Sequence, residues 1–197
     1  MNAKVEQKER SHETILESAS RLVRERGISG AGVAEVMKGA GLTVGGFYAH
    51  FGSKKELVDE ALRRTGALLR ERLFERIEEK PQDDRAEVIL KRYLSAAQRD
   101  AGTMGCPLPA VVGEIGTTAP EHGAALAEQI EALSARLEAC LPKSRGSSRR
   151  TLALGLVALM VGGLSLARAL KGTALSDDVI RACRALGIAA ARGASRT

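Results

Sequence analysis

Apolar residues recur every three or four positions along most of this 197-residue chain, and that spacing limits the fold more than any other feature. It is the period of an α-helix with one buried face. Alternating runs rich in β-branched residues, which would indicate strands, are scarce. Because 44% of the residues are hydrophobic, the chain can also bury a substantial core. We therefore predict an all-α fold.

Glycine, proline and serine divide this pattern into separate helices. We expect the first eight residues to be frayed. The first two predicted helices stop at Gly27 and Gly41, because glycine readily adopts the left-handed conformation that ends a helix. Ser53 and Glu56 form a capping box at the start of a long helix. The remaining helices are predicted over residues 44–50, 53–80, 85–99, 109–115, 121–141, 148–170 and 177–191.

The segment from residue 33 to residue 51 has the spacing of a helix-turn-helix, whose second helix enters the major groove of DNA. Five of its apolar residues are placed to pack inward: Val36, Ala40, Leu42, Phe47 and Phe51. The outward face of the second helix, together with the start of the next helix, presents the candidate DNA contacts: Thr43, Val44, Gly45, Gly46, Tyr48, His50, Lys54 and Lys55.

Gly45 and Gly46 stand inside this short predicted helix, where each costs about 1 kcal/mol relative to alanine. Their missing side chains would let the backbone approach the sugar-phosphate chain or the base edges, and that approach would offset the cost. Tyr48 can donate its hydroxyl to a phosphate, and His50 and Lys54 can reach phosphates as well. The alternative is an ordinary helical hairpin in which the aromatic residues of this stretch are core.

The region resembles the DNA-binding region of the tetracycline-repressor (TetR) family of bacterial regulators. The resemblance lies in a first helix ending in ERG and in the run VAEVMKGAGLTVGGFYAHFGSKKEL, and it covers roughly residues 11–60. It implies a homodimeric repressor that a small molecule releases from a near-palindromic DNA operator. The cytoplasmic location that we expect rests instead on the three widely spaced cysteines, which form no C-x-x-C pair. By position, residues 43–46 would face the groove, Tyr48 and His50 would touch DNA, and Lys54 would hold a phosphate. Since Val44 and Gly45 carry no long polar side chain, we expect DNA shape to contribute to specificity.

The family resemblance also divides the chain into a DNA-binding domain, residues 1–53, and a helical effector-binding and dimerisation domain, residues 54–197. The last two helices are expected to form a two-fold four-helix bundle with those of a second subunit. The uncharged run over residues 151–167 would then be a buried interface. A membrane span is the other interpretation, which the glycines of this run and the basic residues on both sides disfavour.

An effector pocket is expected among the middle helices, although the sequence does not identify the effector. Its candidate lining residues are Tyr93, Cys106, Val112 and Glu114. Cys106 precedes a helix that begins with proline, so its thiol is also a candidate sensor of oxidants. The alternative for Cys106 is a small buried core residue.

No enzymatic activity is expected. The three histidines lie far apart and have no metal-ligand spacing, and the chain contains no P-loop, complete dinucleotide loop or nucleophile elbow. We therefore expect no metal site and no cofactor. The net charge of +6 suits a polyanionic partner without identifying one. An architectural DNA-binding protein that senses no ligand is the principal alternative, and a small helical enzyme is the second.

Overall fold

The protein is described by a computed structural model, which covers residues 3–142 and 148–193. Within these ranges the chain is helical and contains no strand, which confirms the predicted all-α class. The α-helices of these ranges are α1 (Ala3–Arg26), α2 (Val33–Gly39), α3 (Lys54–Leu73), α4 (Gln82–Tyr93), α5 (Ala96–Asp100), α6 (Leu108–Thr117), α7 (Gly123–Cys140), α8 (Arg149–Ala169) and α9 (Ala174–Gly193). Short 3-10 helices lie at Val44–Ala49, Ile77–Glu79, Gly102–Met104 and Pro120–His122.

The chain divides into two compact units. Unit 1 comprises residues 1–67 and 102–127, and unit 2 comprises residues 68–101 and 128–197. The 102–127 segment joins unit 1 because α6 packs on α1. The functional boundary predicted at residue 53 stays a prediction.

In unit 1, apolar residues of α1, α2, α3 and α6 form one core around Phe47 and Phe51, each 1% exposed as predicted. Gly27 and Gly41 end α1 and α2 with φ angles of 72° and 70°, as predicted. The expected fraying of the first eight residues is wrong for residues 3–8, because α1 begins at Ala3. Charged pairs one turn apart, such as Glu6 with Arg10 at 3.9 Å, support this exposed first part of the helix.

The segment from Val44 to Ala49 is a 3-10 helix, where an α-helix was predicted. Its bonds join residues three apart, with Gly46 N–H donating to Thr43 O at 3.0 Å and His50 N–H donating to Phe47 O at 2.9 Å. A short segment with two glycines gains little from the α-helical form, and 3-10 geometry is common in such pieces.

The predicted cap of α3 is confirmed. Glu56 N–H donates to Ser53 Oγ at 3.1 Å, and the Glu56 carboxylate accepts from Gly52 N–H at 2.7 Å. The helix ends at Leu73, however, and its predicted continuation to residue 80 is wrong. The Arg92 guanidinium donates to the carbonyls of Leu73 and Glu75 at 2.8 and 2.9 Å, so a residue of α4 caps this end.

The helix predicted over residues 85–99 is also interrupted. It is divided into α4 and α5 at Leu94 and Ser95. The Ser95 hydroxyl accepts a hydrogen bond from Gln98 N–H at 3.2 Å and thereby starts a new helix. A serine N-cap inside an apolar pattern therefore decides the boundary.

In unit 2, α8 and α9 pack closely against each other. A Cβ atom at Gly163 of α8 would lie 2.9 Å from Cys183 Sγ of α9, so the contact needs a bare backbone there. By length and composition α8 could cross a membrane, although 44% of its apolar window is buried in the protein. A buried core helix meets the same criteria, so this property is weak evidence for a membrane span.

Candidate nucleic-acid interface

Gly45 of the Val44–Ala49 helix faces open space, and Gly46 has room for a Cβ atom. A Cβ atom at Gly45 would meet nothing within 4 Å, and one at Gly46 would only touch Met37 Cε at 3.9 Å and Thr43 Oγ1 at 4.0 Å. In the described part of the chain the glycines with positive φ are Gly27, Gly41, Gly102 and Gly172. Neither backbone conformation nor internal packing therefore requires glycine at positions 45 and 46, and the glycine-bearing face is uncovered.

Large apolar and aromatic side chains flank this face. Val44 is 51% exposed and Tyr48 is 76% exposed. The Tyr48 ring meets the buried Phe47 ring edge-on, with the ring centroids 5.2 Å apart. This contact orients a phenol whose ring stays in solvent, where it is available to a partner.

His50 is half-buried at the end of the same helix. Burial lowers the pKa of its imidazole, and the charges of His12 and Lys8 lower it further. The ring is therefore mainly neutral at pH 7 and can contact a phosphate as an N–H donor rather than as a cation.

The centroids of the His12 and His50 rings lie 6.2 Å apart, and the charge of Lys8 also acts on His50, so the first half of α1 lies beside the predicted DNA-binding residues. His12 also stacks on Phe51, with ring centroids 4.4 Å apart. These two residues were missed as site candidates. Their spacing of four positions, which puts them on one face of a helix, is the signal that could have found them.

The two candidate lysines of α3 differ in their surroundings. Lys54 is half-buried at the first position of the helix. Lys55 Nζ lies 2.5 Å from Asp59 Oδ2, and the other oxygen of Asp59 lies 2.7 Å from Nδ1 of the buried His122. The ion pair within α3 competes with any phosphate for Lys55, so Lys54 is the better phosphate ligand of the two.

Replacing Asp59 by asparagine should destabilise the protein by about 3 kcal/mol, because it leaves Lys55 and the buried His122 without their carboxylate. Burial raises the pKa of Asp59, but hydrogen bonds from Lys55 and His122 lower it by more. The stability that ionised Asp59 adds to the folded protein is therefore fully present above the carboxyl's ordinary pKa of about 3.9. It is lost as the pH falls through the lowered pKa of the folded state. Urea unfolding at pH 7 and pH 3 measures both effects, and an equal stability of the two proteins at pH 7 would contradict this role.

The four candidate effector residues do not lie in one unit. Cys106, Val112 and Glu114 belong to unit 1, and Tyr93 belongs to unit 2. Tyr93 and Cys106 are fully buried, whereas Val112 is 39% exposed. The Glu114 carboxylate accepts hydrogen bonds from the loop between α1 and α2. Effector contacts by these residues stay predictions.

Comparison with known proteins relates this interface to a family of regulators. Residues 15–61 match the family model described as bacterial regulatory proteins, tetR family. A stretch of 49 residues is 45% identical to the HTH-type transcriptional repressor KstR2 of Mycobacterium tuberculosis. That stretch is 25% of this chain and 24% of the relative, so the sequence match spans about a quarter of each protein.

Solved structures match along almost the whole chain. A TetR-family regulator from Streptomyces coelicolor has a TM-score of 0.75 at 21% identity, over 99% of this chain and 96% of that one. The reduced form of Escherichia coli NemR has a TM-score of 0.75 at 22% identity, over 90% and 94% of the two chains. A TetR-family regulator from Cytophaga hutchinsonii has a TM-score of 0.75 at 21% identity, over 93% and 95%. At these identities the likeness shows a shared fold.

Proposed function

We propose that this chain is a TetR-family transcriptional regulator that binds DNA in the bacterial cytoplasm, because residues 15–61 match the family model and TetR-family structures share its fold along almost its whole length. In this proposal it acts as a homodimeric repressor on a near-palindromic operator and is released by a small molecule. The observation that carries the proposal is the uncovered glycine-bearing face of the Val44–Ala49 helix. Glycines that nothing inside the protein requires are explained by an external partner that approaches the backbone closely.

Duplex DNA suits this face in shape and chemistry. Bare backbone at Gly45 and Gly46 can approach the floor of the major groove, Val44 can contact a thymine methyl, and the Tyr48 hydroxyl can donate to a phosphate. Lys54 adds a positive charge at the N-terminus of α3, where backbone N–H groups also attract anions. Base-specific side chains are few here, so DNA deformability contributes to specificity.

The outer face of α8 and α9 supports dimerisation. Three leucines of unit 2 are more than half exposed there: Leu166 at 56%, Leu175 at 54% and Leu186 at 63%. Exposed positions of α8 also include Gly155, Ala158 and Gly162, which would let a second helix come close. Exposed apolar surface of this kind marks a protein interface. Two-fold pairing would hold the Val44–Ala49 helices of the two subunits about 34 Å apart, which is one turn of DNA.

In the proposed mechanism the effector displaces α3 and thereby changes the separation of the two reading helices. Because coupling between two sites is reciprocal, operator DNA then weakens effector binding by the factor by which the effector weakens DNA binding. Titrations that show independent binding of the two ligands would contradict this mechanism. A regulator whose DNA affinity no small molecule changes would favour the architectural alternative.

The proposal is tested by selecting binding sites from random duplex DNA and measuring the salt dependence of binding. We expect a near-palindromic consensus with half-sites about 10 base pairs apart. Lys54→Gln should weaken binding several-fold and reduce the slope of log K against log salt by about 2, because a dimer loses two phosphate contacts. Lys91→Gln, an exposed lysine of α4, is the matched control and should leave the slope unchanged. Failure to enrich any sequence, or an unchanged slope in Lys54→Gln, would count against the proposal.

A further inference from the structure

The Glu114 carboxylate on α6 accepts three hydrogen bonds from the loop between α1 and α2, all within unit 1. Ile28 N–H donates to Oε1 at 2.9 Å and Ser29 N–H donates to Oε2 at 2.8 Å. The Ser29 hydroxyl also donates to Oε2. Because hydrogen bonds to an ionised carboxylate are about twice as strong as those between neutral groups, one side chain holds this loop on α6.

Gly27, immediately after α1, provides the space that this carboxylate occupies. A Cβ atom at Gly27 would lie 1.8 Å from Glu114 Oε1. Its φ of +72° also lies in the left-handed region that favours glycine. Glycine is therefore required twice at this position, once by the backbone and once by the side chain of α6.

The loop leads directly into α2, whose start has no local side-chain cap. The N-cap residue Gly32 offers no side-chain hydrogen bond. At its other end α2 supports the DNA-reading helix: Met37 is fully buried, and its Cε lies 3.9 Å from the Cβ position of Gly46. The α2 helix is therefore the element through which a shift of the loop would reach the glycine-bearing face.

We propose that Glu114 is a positioning residue for DNA binding, because its carboxylate holds the α1–α2 loop, and through α2 the Val44–Ala49 helix, in the arrangement that fits duplex DNA. This role rests on the proposed function, since it has a consequence only if that helix binds DNA. It is distinct from the effector contact predicted for Glu114, because loop donors occupy both carboxylate oxygens.

Electrostatics alone gives the opposite expectation for this residue. Burial raises the pKa of the Glu114 carboxyl, but hydrogen bonds from Ser29 and Ile28, together with the charge of Lys54, lower it by more. Lys54 is itself proposed to hold a phosphate. Removing the negative charge near it would therefore strengthen DNA binding if Glu114 acted only through charge. The sign of the change distinguishes the two explanations.

The test measures operator affinity for four variants, using duplex DNA selected by the wild-type protein. We expect Glu114→Gln to bind about tenfold more weakly, because an amide cannot accept from all three donors. Gly27→Ala, which keeps the charge but displaces the carboxylate, should lose a similar factor. The double variant should lose little more than either single one, since both break the same contact. Thr117→Ala, elsewhere on α6, is the control and should bind normally.

Unchanged or stronger binding by folded Glu114→Gln would overturn the proposal, and so would fully additive losses in the double variant. Thermal unfolding shows whether each variant folds. Should Glu114→Gln fail to fold, Ser29→Ala carries the test: we expect about a twofold loss that disappears in the Gly27→Ala background, and an equal loss in both backgrounds would overturn the proposal. A wild-type protein that enriches no DNA sequence would instead overturn the proposed function, an outcome seen before any variant is made.

Discussion

Replacing Gly45 by leucine should lower operator affinity at least ~30-fold while leaving the fold intact. The side chain meets no atom of the protein, because a Cβ at this position has nothing within 4 Å. It would instead stand between the helix backbone and the DNA. A poorly fitting base pair typically costs about 1–3 kcal/mol, and a dimer would meet the obstruction at both half-sites. The measurement is a DNA titration by fluorescence anisotropy, with thermal unfolding as the check on folding.

Replacing Gly45 by alanine should change the stability of the protein and its DNA affinity in opposite directions. Gly45→Ala should raise the free energy of unfolding by up to about 1 kcal/mol, because glycine loses more conformational entropy on folding than any other residue. It should nevertheless weaken DNA binding. Gly116→Ala on α6, where a Cβ also meets nothing within 4 Å, is the matched control and should stabilise without affecting DNA. If Gly45→Ala and Gly45→Leu both bind operator like the wild type, the glycines are not a contact surface.

Charged residues on the outer face of α8 and α9 should convert the proposed dimer into a folded monomer. Leu166→Glu and Leu186→Glu introduce carboxylates at two positions where the leucine side chains are 56% and 63% exposed in the isolated chain. Such positions tolerate a charge in the monomer, but in an interface the charge would be buried without a partner. A monomer engages one half-site only, so operator affinity should fall by about 100- to 10,000-fold.

Sedimentation velocity gives the mass directly and separates loss of assembly from loss of folding. Val112→Glu, which puts a carboxylate at a 39% exposed position of α6 in unit 1, should leave the assembly unchanged and is the control. Two results would contradict the proposed interface: a dimer that persists in both leucine variants, or a wild-type protein that is monomeric at micromolar concentration.

The sequence was sufficient for those parts of the fold that depend on local chemistry. Helical spacing predicted the all-α class, and the stops at Gly27 and Gly41 and the cap at Ser53 are local signals that the structure confirms. The aromatic residues Phe47 and Phe51 were predicted as core for the same reason, since their spacing places both on the inner face. Each of these features involves residues only a few positions apart.

Features that depend on distant residues could not be predicted in this way. The end of α3 at Leu73 is set by Arg92, and the conformation of the α1–α2 loop is set by Glu114, which lies 85 and 86 positions away from its partners. The apolar periodicity of the sequence continues past Leu73, so it does not indicate the end of α3. It also gives no information about the contact between Glu114 and the α1–α2 loop. The same limit explains why Lys8 and His12 were missed. They come close to His50 only because α1 packs beside the Val44–Ala49 helix.

The proposed regulator binds its operator with the glycine-bearing face of the Val44–Ala49 helix lying against DNA. Amide hydrogen exchange of the unmodified protein, with and without its selected operator, tests this most directly. We predict slowed exchange over residues 43–50 when the operator is added, and no such change with a scrambled duplex of equal length. Operator binding that protects other segments while exchange over residues 43–50 stays unchanged would contradict the account.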